Sequence, residues 1–272
     1  MNYHSKEWIM NELYNHYEEL KTLYPEDQIV GIFYQGSGNY GLDYEDSDVD
    51  TKALIVPTFE DIVFNKKPVS TTHVRTNNSH IDIKDLREYF KIFRKQNINF
   101  VEILFTEYKI INPKFEKEWN KLIAANEYIA RDNPYAAVKT MKGMALEKYH
   151  ALEKDYPSQH EEIQKYGYCA KQLHHLARLL DFLTRYTHNT PYSECLIPLN
   201  SDALVEIKKN KGMFRLEEVR NMADELNRQI VEIADNYCNL NENKNTKYVD
   251  DLLNEVQYNI MKIAILGGDN DA

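Results

Sequence analysis

Two acidic side chains separated by one apolar residue, Asp48-Val49-Asp50, close the stretch GSGNYGLDYEDSDVD. On a strand, side chains alternate, so Asp48 and Asp50 point to one face while Val49, Thr51 and Ala53 point to the other. Two carboxylates side by side repel unless a cation lies between them. Mg²⁺ suits the pair, being hard and commonly bound by one or two carboxylates plus substrate phosphate; Mn²⁺ is the alternative. In HIDIK, Ile81 and Ile83 face a core while His80, Asp82 and Lys84 face away. If that strand neighbours the first, Asp82 supplies a third carboxylate. Three acids can hold two metal ions about 4 Å apart, one activating an attacking oxygen and one stabilising a leaving phosphate. Upstream, Gly36 lets backbone amides approach an anion and Ser37 offers a hydroxyl to a phosphate. A helix starting there would add its positive end. Asp-x-Asp alone is short enough to be a solvated strand entry. The apolar run before Gly-Ser and the later strand acid favour metal catalysis.

These residues need elements to hold them. QIVGIFYQ (28–35) is a nearly continuous apolar run, the mark of a strand covered on both faces. DVDTKALIVP (48–57) is a second strand, ended by Pro57. VSTTHV (69–74) and HIDIK (80–84), separated by RTNNS, predict a hairpin. A helix over 5–23 precedes them, with Trp8, Ile9, Leu13, Tyr17, Leu20 and Leu23 at helical spacing. Another follows at 85–95, and the apolar FVEILF (100–105) runs on toward Pro113. Beyond Pro113, residues 115–130, 134–154, 160–187, 215–237 and 247–265 all favour helix. The expected architecture is α+β: a mixed sheet with flanking helices over 1–112, then an all-helical domain over 113–272.

Composition narrows the class. At 272 residues the chain can bury one large core or two smaller ones. Its 43 acidic and 33 basic residues give a net charge of −10, which argues against extensive, unspecific wrapping of nucleic acid but not against a local basic cleft. The three cysteines lack CxxC spacing, so neither a disulfide framework nor a zinc site is expected. The beginning, MNYHSKEWIM, has no signal-peptide core, and no apolar run approaches the ~20 residues needed to span a bilayer. A soluble, cytoplasmic protein with no membrane partner is the expectation.

The order strand, Gly36-Ser37, about ten residues, Asp48-Val49-Asp50, then Asp82 on a later strand resembles the DNA polymerase β-type nucleotidyltransferase superfamily. GSGNYGLDYEDSDVDTKALIV and NINFVEILF look like its bacterial and phage branch, predicted to act in RNA repair. The resemblance covers about residues 28–105, with a weaker extension over GYCAKQLHHLARLL (167–180). It implies a palm-like catalytic domain that transfers NMP from an NTP, such as ATP, to an acceptor hydroxyl with release of pyrophosphate. Asp48 and Asp50 would bind two Mg²⁺ ions, and Asp82 would bridge one and help deprotonate the acceptor. Ser37, beside Gly36, would hold the outer phosphates. The implied acceptor is an RNA 3′ end of tRNA-like type. A protein hydroxyl is the alternative acceptor, and a non-catalytic NTP- or RNA-binding module the alternative class.

Two basic features lie further on. Across 168–187, Cys169, Leu173, Leu176, Leu180 and Leu183 form an apolar stripe, and Lys171, His174 or His175, and Arg178 form a separate polar one. Such a row is ordinarily a solvated face. The resemblance of this segment makes a triphosphate clamp of Lys171, His175 and Arg178 its equal, Arg offering a planar fork and Lys a point charge. The run EIKKNKGMFR (206–215), with Lys208, Lys209, Lys211 and Arg215, fits either an RNA-phosphate contact or a solvated helix end before Gly212.

Overall fold

The computed structural model describes residues 3–267; the outermost positions of both expected domains lie outside the described residues. Five strands form one sheet: β1 (Ile29–Gln35), β2 (Asp50–Ile55), β3 (Ser70–Val74), β4 (His80–Asp85) and β5 (Lys109–Ile111). Their order is β3-β4-β2-β1-β5, with β2 and β4 parallel and the other neighbours antiparallel. The fold is therefore α+β with a mixed sheet. The hairpin expected at 69–84 is β3–β4.

Alternation along the strands sends their residues to two different cores. Ile32, Ala53, Ile81 and Ile83 pack against Ile9, Leu13 and Leu20 of helix α1 (Lys6–Leu23). His16 of α1 is fully buried there and hydrogen-bonds with Thr51 and Ser79. On the opposite face, Phe33 and Leu54 join a cluster that runs through Trp119 to Leu173 and Leu176 and on to Ile260. Asp50, Lys52 and Leu54 share this second face. The register sets Gln35 opposite Asp50 and Lys52 beside Asp82.

Helices α2 (Phe59–Val63), α3 (Leu86–Arg94) and α4 (Ile98–Val101) lie between strands, so FVEILF is short helix and turn, not extended chain. Asn97 caps α4 by accepting from the Asn99 N–H at 3.1 Å. The remainder is helical: α5 (Pro113–Ala124), α6 (Asn126–Ala130), α7 (Pro134–Ala151), α8 (His160–Tyr166), α9 (Ala170–Thr187), α10 (Tyr192–Cys195), α11 (Ser201–Lys209), α12 (Leu216–Leu240) and α13 (Lys247–Leu266). The helix expected over 160–187 is thus two. Gly167 at φ 80° ends α8 in the left-handed conformation that glycine adopts without penalty. Helices α7, α9 and α12 pack on one another, α11 lies along α9, and α13 rests on α3 and α5.

Candidate active site

The site begins where β1 stops. Gly36 has φ 143° and ψ −176°, a backbone region essentially closed to residues with a Cβ. It reverses the chain into one turn of 3₁₀ helix, Ser37–Tyr40, shorter than the helix that the Gly-Ser signal suggested. Gly38 is needed for closeness: a Cβ there would sit 2.6 Å from the Tyr34 hydroxyl oxygen, which accepts the Gly38 N–H at 3.1 Å. Asn39 ties the turn down, its amide donating to the Tyr34 carbonyl at 3.0 Å and its Oδ1 accepting from Thr106 at 2.7 Å. The outcome is a Ser37 hydroxyl held 3.4 Å from the Ser47 hydroxyl, immediately before the acids.

Asp50 opens β2, and Asp48 lies just before it, outside the strand. Val49 between them is buried on the α1 side, as alternation requires. Both the backbone N–H and Nδ1–H of His80 donate to Asp50 Oδ1, at 2.8 and 3.1 Å, fixing the carboxylate across the β2–β4 pair. Burial first, and the Asp48 charge second, push the Asp50 carboxyl above the usual range despite those bonds. Two acids repelling at a half-buried edge, both oxygen donors, form a set that a hard cation fits.

Asp48, Asp50, Gly36 and Ser37 line one wall of a cleft of about 240 Å³. The facing wall is helical. Lys171, His175 and Arg178 of α9 line it, together with Lys148 of α7 and Lys208 of α11. The cleft therefore places Asp48 and Asp50 across from four cationic side chains drawn from three helices, with the Glu102 carboxyl also in its lining. Seven of the eight residues singled out from the sequence meet here. Asp82 does not line the cleft. It shares the sheet face of Asp50 but lies one strand over and further along, 3.1 Å from Lys84 Nζ. Among the described residues, no group of three or more His, Cys, Asp or Glu side chains is arranged to hold a metal ion.

The polar stripe on α9 is divided by packing. His174 is buried, and its Nδ1–H donates to the Leu204 carbonyl at 2.8 Å, locking α11 to α9. Burial pushes its pKa down to about 4, so the ring is neutral at physiological pH. Arg178 lies over the Tyr40 ring at 3.7 Å and faces the buried Glu102 carboxyl. Glu102 in turn approaches the buried Lys52 amine at 3.9 Å, and burial pushes the acid's pKa up and the amine's down. A chain of partners thus leads from the sheet through Lys52 and Glu102 to the guanidinium on the opposite wall.

Lys208 was the least legible member. It sits in the basic run, yet its Nζ donates to Ser37 Oγ at 3.4 Å and lies 4.7 Å from the centre of the Tyr44 ring. Burial, then the charge of Lys171, push its pKa down to about 8. Its neighbours in the run point elsewhere: Lys211 approaches Glu162 at 3.6 Å, and Arg215 pairs with Glu218 at 2.9 Å. The signals for the other missed residues are faint but real: Lys52 is a charge inside an apolar strand, and Glu102 an acid inside FVEILF.

No family model matches the chain, and no curated protein matches it. Among solved structures, a nucleotidyltransferase-like protein from Exiguobacterium sibiricum 255-15 is similar over 96% of this chain and 81% of its own. The two share 11% sequence identity, with a TM-score of 0.28. Among the described residues, no helix is long and apolar enough to cross a membrane.

Proposed function

We propose that the protein is a nucleotidyltransferase, in which an acceptor hydroxyl attacks the α-phosphate of an NTP and pyrophosphate leaves. One observation carries this reading: the cleft opposes the paired acids Asp48 and Asp50, with Ser37 beside them, to Lys171, Arg178 and Lys208. A cation-binding edge facing an anion-binding wall is what a metal-bound polyphosphate requires. Asp48 and Asp50 would hold Mg²⁺, which when bound would neutralise phosphate charge and lower the pKa of an oxygen it touches. The remaining work belongs to the chain itself. Ser37 and Lys208 bind the outer phosphates, Lys171 adds a point charge, and Arg178 presents its planar fork, steadied by Tyr40 and Glu102. His80 keeps Asp50 turned toward the cleft.

Asp82, as a third ligand to a second ion and as a base for the acceptor, belongs to the same proposal. To serve so, it must leave Lys84 and move toward Asp50. The acceptor we propose is an RNA 3′ end, on the strength of the sequence resemblance. The test is release of pyrophosphate from each NTP by the wild-type chain in the presence of total cell extract, with Mg²⁺ or with EDTA. Mg²⁺-dependent release that Asp48→Asn reduces more than about 100-fold is expected, since a lost ligand removes several kcal/mol of charge stabilisation. NTP binding with no release in any extract would sink the enzyme and leave a binding module.

A further inference from the structure

The cleft changes character along its length. Lys171 and Phe182 lie at opposite ends of the α9 wall, about 16 Å apart along the axis at the ordinary helical rise. Lys208, Ser37 and the two acids gather at the Lys171 end. Past Arg178 and the buried Glu102 carboxyl that faces it, the lining is mostly apolar: Leu179 and Phe182 of α9, Ile98 of α4 and Met144 of α7. Tyr192 braces this end from behind, its hydroxyl donating to the Ile98 carbonyl at 3.1 Å and its ring meeting Phe182 edge-on at 5.2 Å. One neutral polar residue lies among them, Asn99. It is half-buried and lines the cleft, and no hydrogen bond among the described residues engages its carboxamide.

An NTP whose phosphates occupy the charged end carries its ribose and base toward the apolar one. A base presents flat faces that favour apolar contact and an edge that must find matching donors and acceptors. We infer that the Ile98–Met144–Leu179–Phe182 end seats the nucleobase, and that the Asn99 carboxamide holds its polar edge. This inference rests on the nucleotidyltransferase reading of the same cleft. A carboxamide offers one acceptor and two donors side by side. Adenine presents the complement, an amino donor beside a ring-nitrogen acceptor, and pairs with Asn through two bonds. The other bases also set a donor beside an acceptor, N4 with N3 in cytosine, N1 with O6 in guanine and N3 with O4 in uracil, and a turn of the carboxamide matches each.

The experiment is equilibrium binding by calorimetry to the full chain without acceptor, with Ca²⁺ replacing Mg²⁺ to prevent turnover. The ligands are ATP, GTP, CTP, UTP and inorganic tripolyphosphate. ATP should bind at least about tenfold tighter than inorganic tripolyphosphate, since the seat adds apolar contact and a two-bond edge to the phosphate contacts. Asn99→Leu should weaken ATP about tenfold and leave tripolyphosphate affinity unchanged. Met144→Trp, which fills the apolar end, should exclude all four nucleotides while tripolyphosphate still binds, showing that the fold is intact. ATP binding no tighter than tripolyphosphate, or ATP binding that neither variant alters, overturns the base seat while the phosphate site stands. If neither tripolyphosphate nor any nucleotide binds the wild-type chain, the nucleotidyltransferase reading falls with it.

Discussion

Asp50 is held in two competing ways. His80 donates twice to its carboxylate, yet burial and the Asp48 charge raise its pKa above the ordinary carboxylate range. A carboxyl with a raised folded-state pKa favours folding most when protonated, and that contribution is lost as pH rises through the folded value. At neutral pH the ionised Asp50 therefore costs stability unless a cation joins it. Asp50→Asn should raise the Tm of the metal-free protein at pH 7, and the gain should shrink as pH falls through the carboxylate range. Mg²⁺ should raise the Tm of the wild type and not that of the variant; thermal melts with and without EDTA across that range test both signs. Lys208 runs the opposite way, its pKa lowered to about 8 by burial and by Lys171. An anion binds its protonated form, so tripolyphosphate affinity should fall as pH rises through about 8. Lys208→Arg should flatten that dependence between roughly pH 7 and 9, because a guanidinium stays charged. A wild-type profile as flat as the variant's would remove Lys208 from the phosphate site.

At the scale of elements, α9 does two jobs on two faces. Leu173, Leu176 and Leu183 bury it against the core, while Lys171, His175 and Arg178 face the cleft. This division was readable because helical spacing separates the stripes, whatever the tertiary fold. The strands were readable for the same reason, and so was the Gly36-Ser37 turn, since a strand followed by Gly-Ser-Gly leaves few conformations. Lys208 was not, because its place depends on His174 drawing α11 onto α9, and on a contact with Ser37 far away in the chain. Asp82 was correctly assigned to the Asp50 face, but alternation says nothing of how far along the strand pair it falls, nor that Lys84 would take it. The same α9 contacts predict unequal variants. Lys171 is exposed, and among the described residues its amine makes no hydrogen bond or ion pair, so Lys171→Ala should raise the KM for NTP about tenfold or more, the loss of one charged contact, and leave Tm unchanged. Arg178→Ala should raise KM and also lower Tm, because it strips cover from Tyr40 and leaves Glu102 without its facing guanidinium. Steady-state kinetics paired with thermal melts distinguish the two, and an unchanged KM for both would return the stripe to a solvated face.

For the whole molecule the deciding quantity is charge. The net −10 is spread over a chain whose cationic side chains are largely engaged: Lys211 near Glu162, Arg215 with Glu218, Arg94 with Asp250, Lys142 with Asp235. Lys209 is exposed at the end of α11, next to the cleft residue Lys208, and on the proposed reading would meet a strand leaving the cleft. Such a surface suits a short single-stranded end rather than a duplex, because few phosphates can be neutralised. Binding of an RNA 3′ end should then depend weakly on salt: with two or three contacts, log K against log[salt] should have a slope of about −1.5 to −2. Labelling from [α-³²P]ATP in the presence of Mg²⁺, total RNA and total protein should yield RNase-sensitive product, and periodate oxidation of the RNA 3′ end should abolish it. Lys209→Glu should weaken RNA labelling while leaving tripolyphosphate affinity intact, since Lys209 does not line the cleft. Product that survives RNase and is lost to protease would reassign the acceptor to a protein hydroxyl. In that case the acidic surface would suit a basic protein partner.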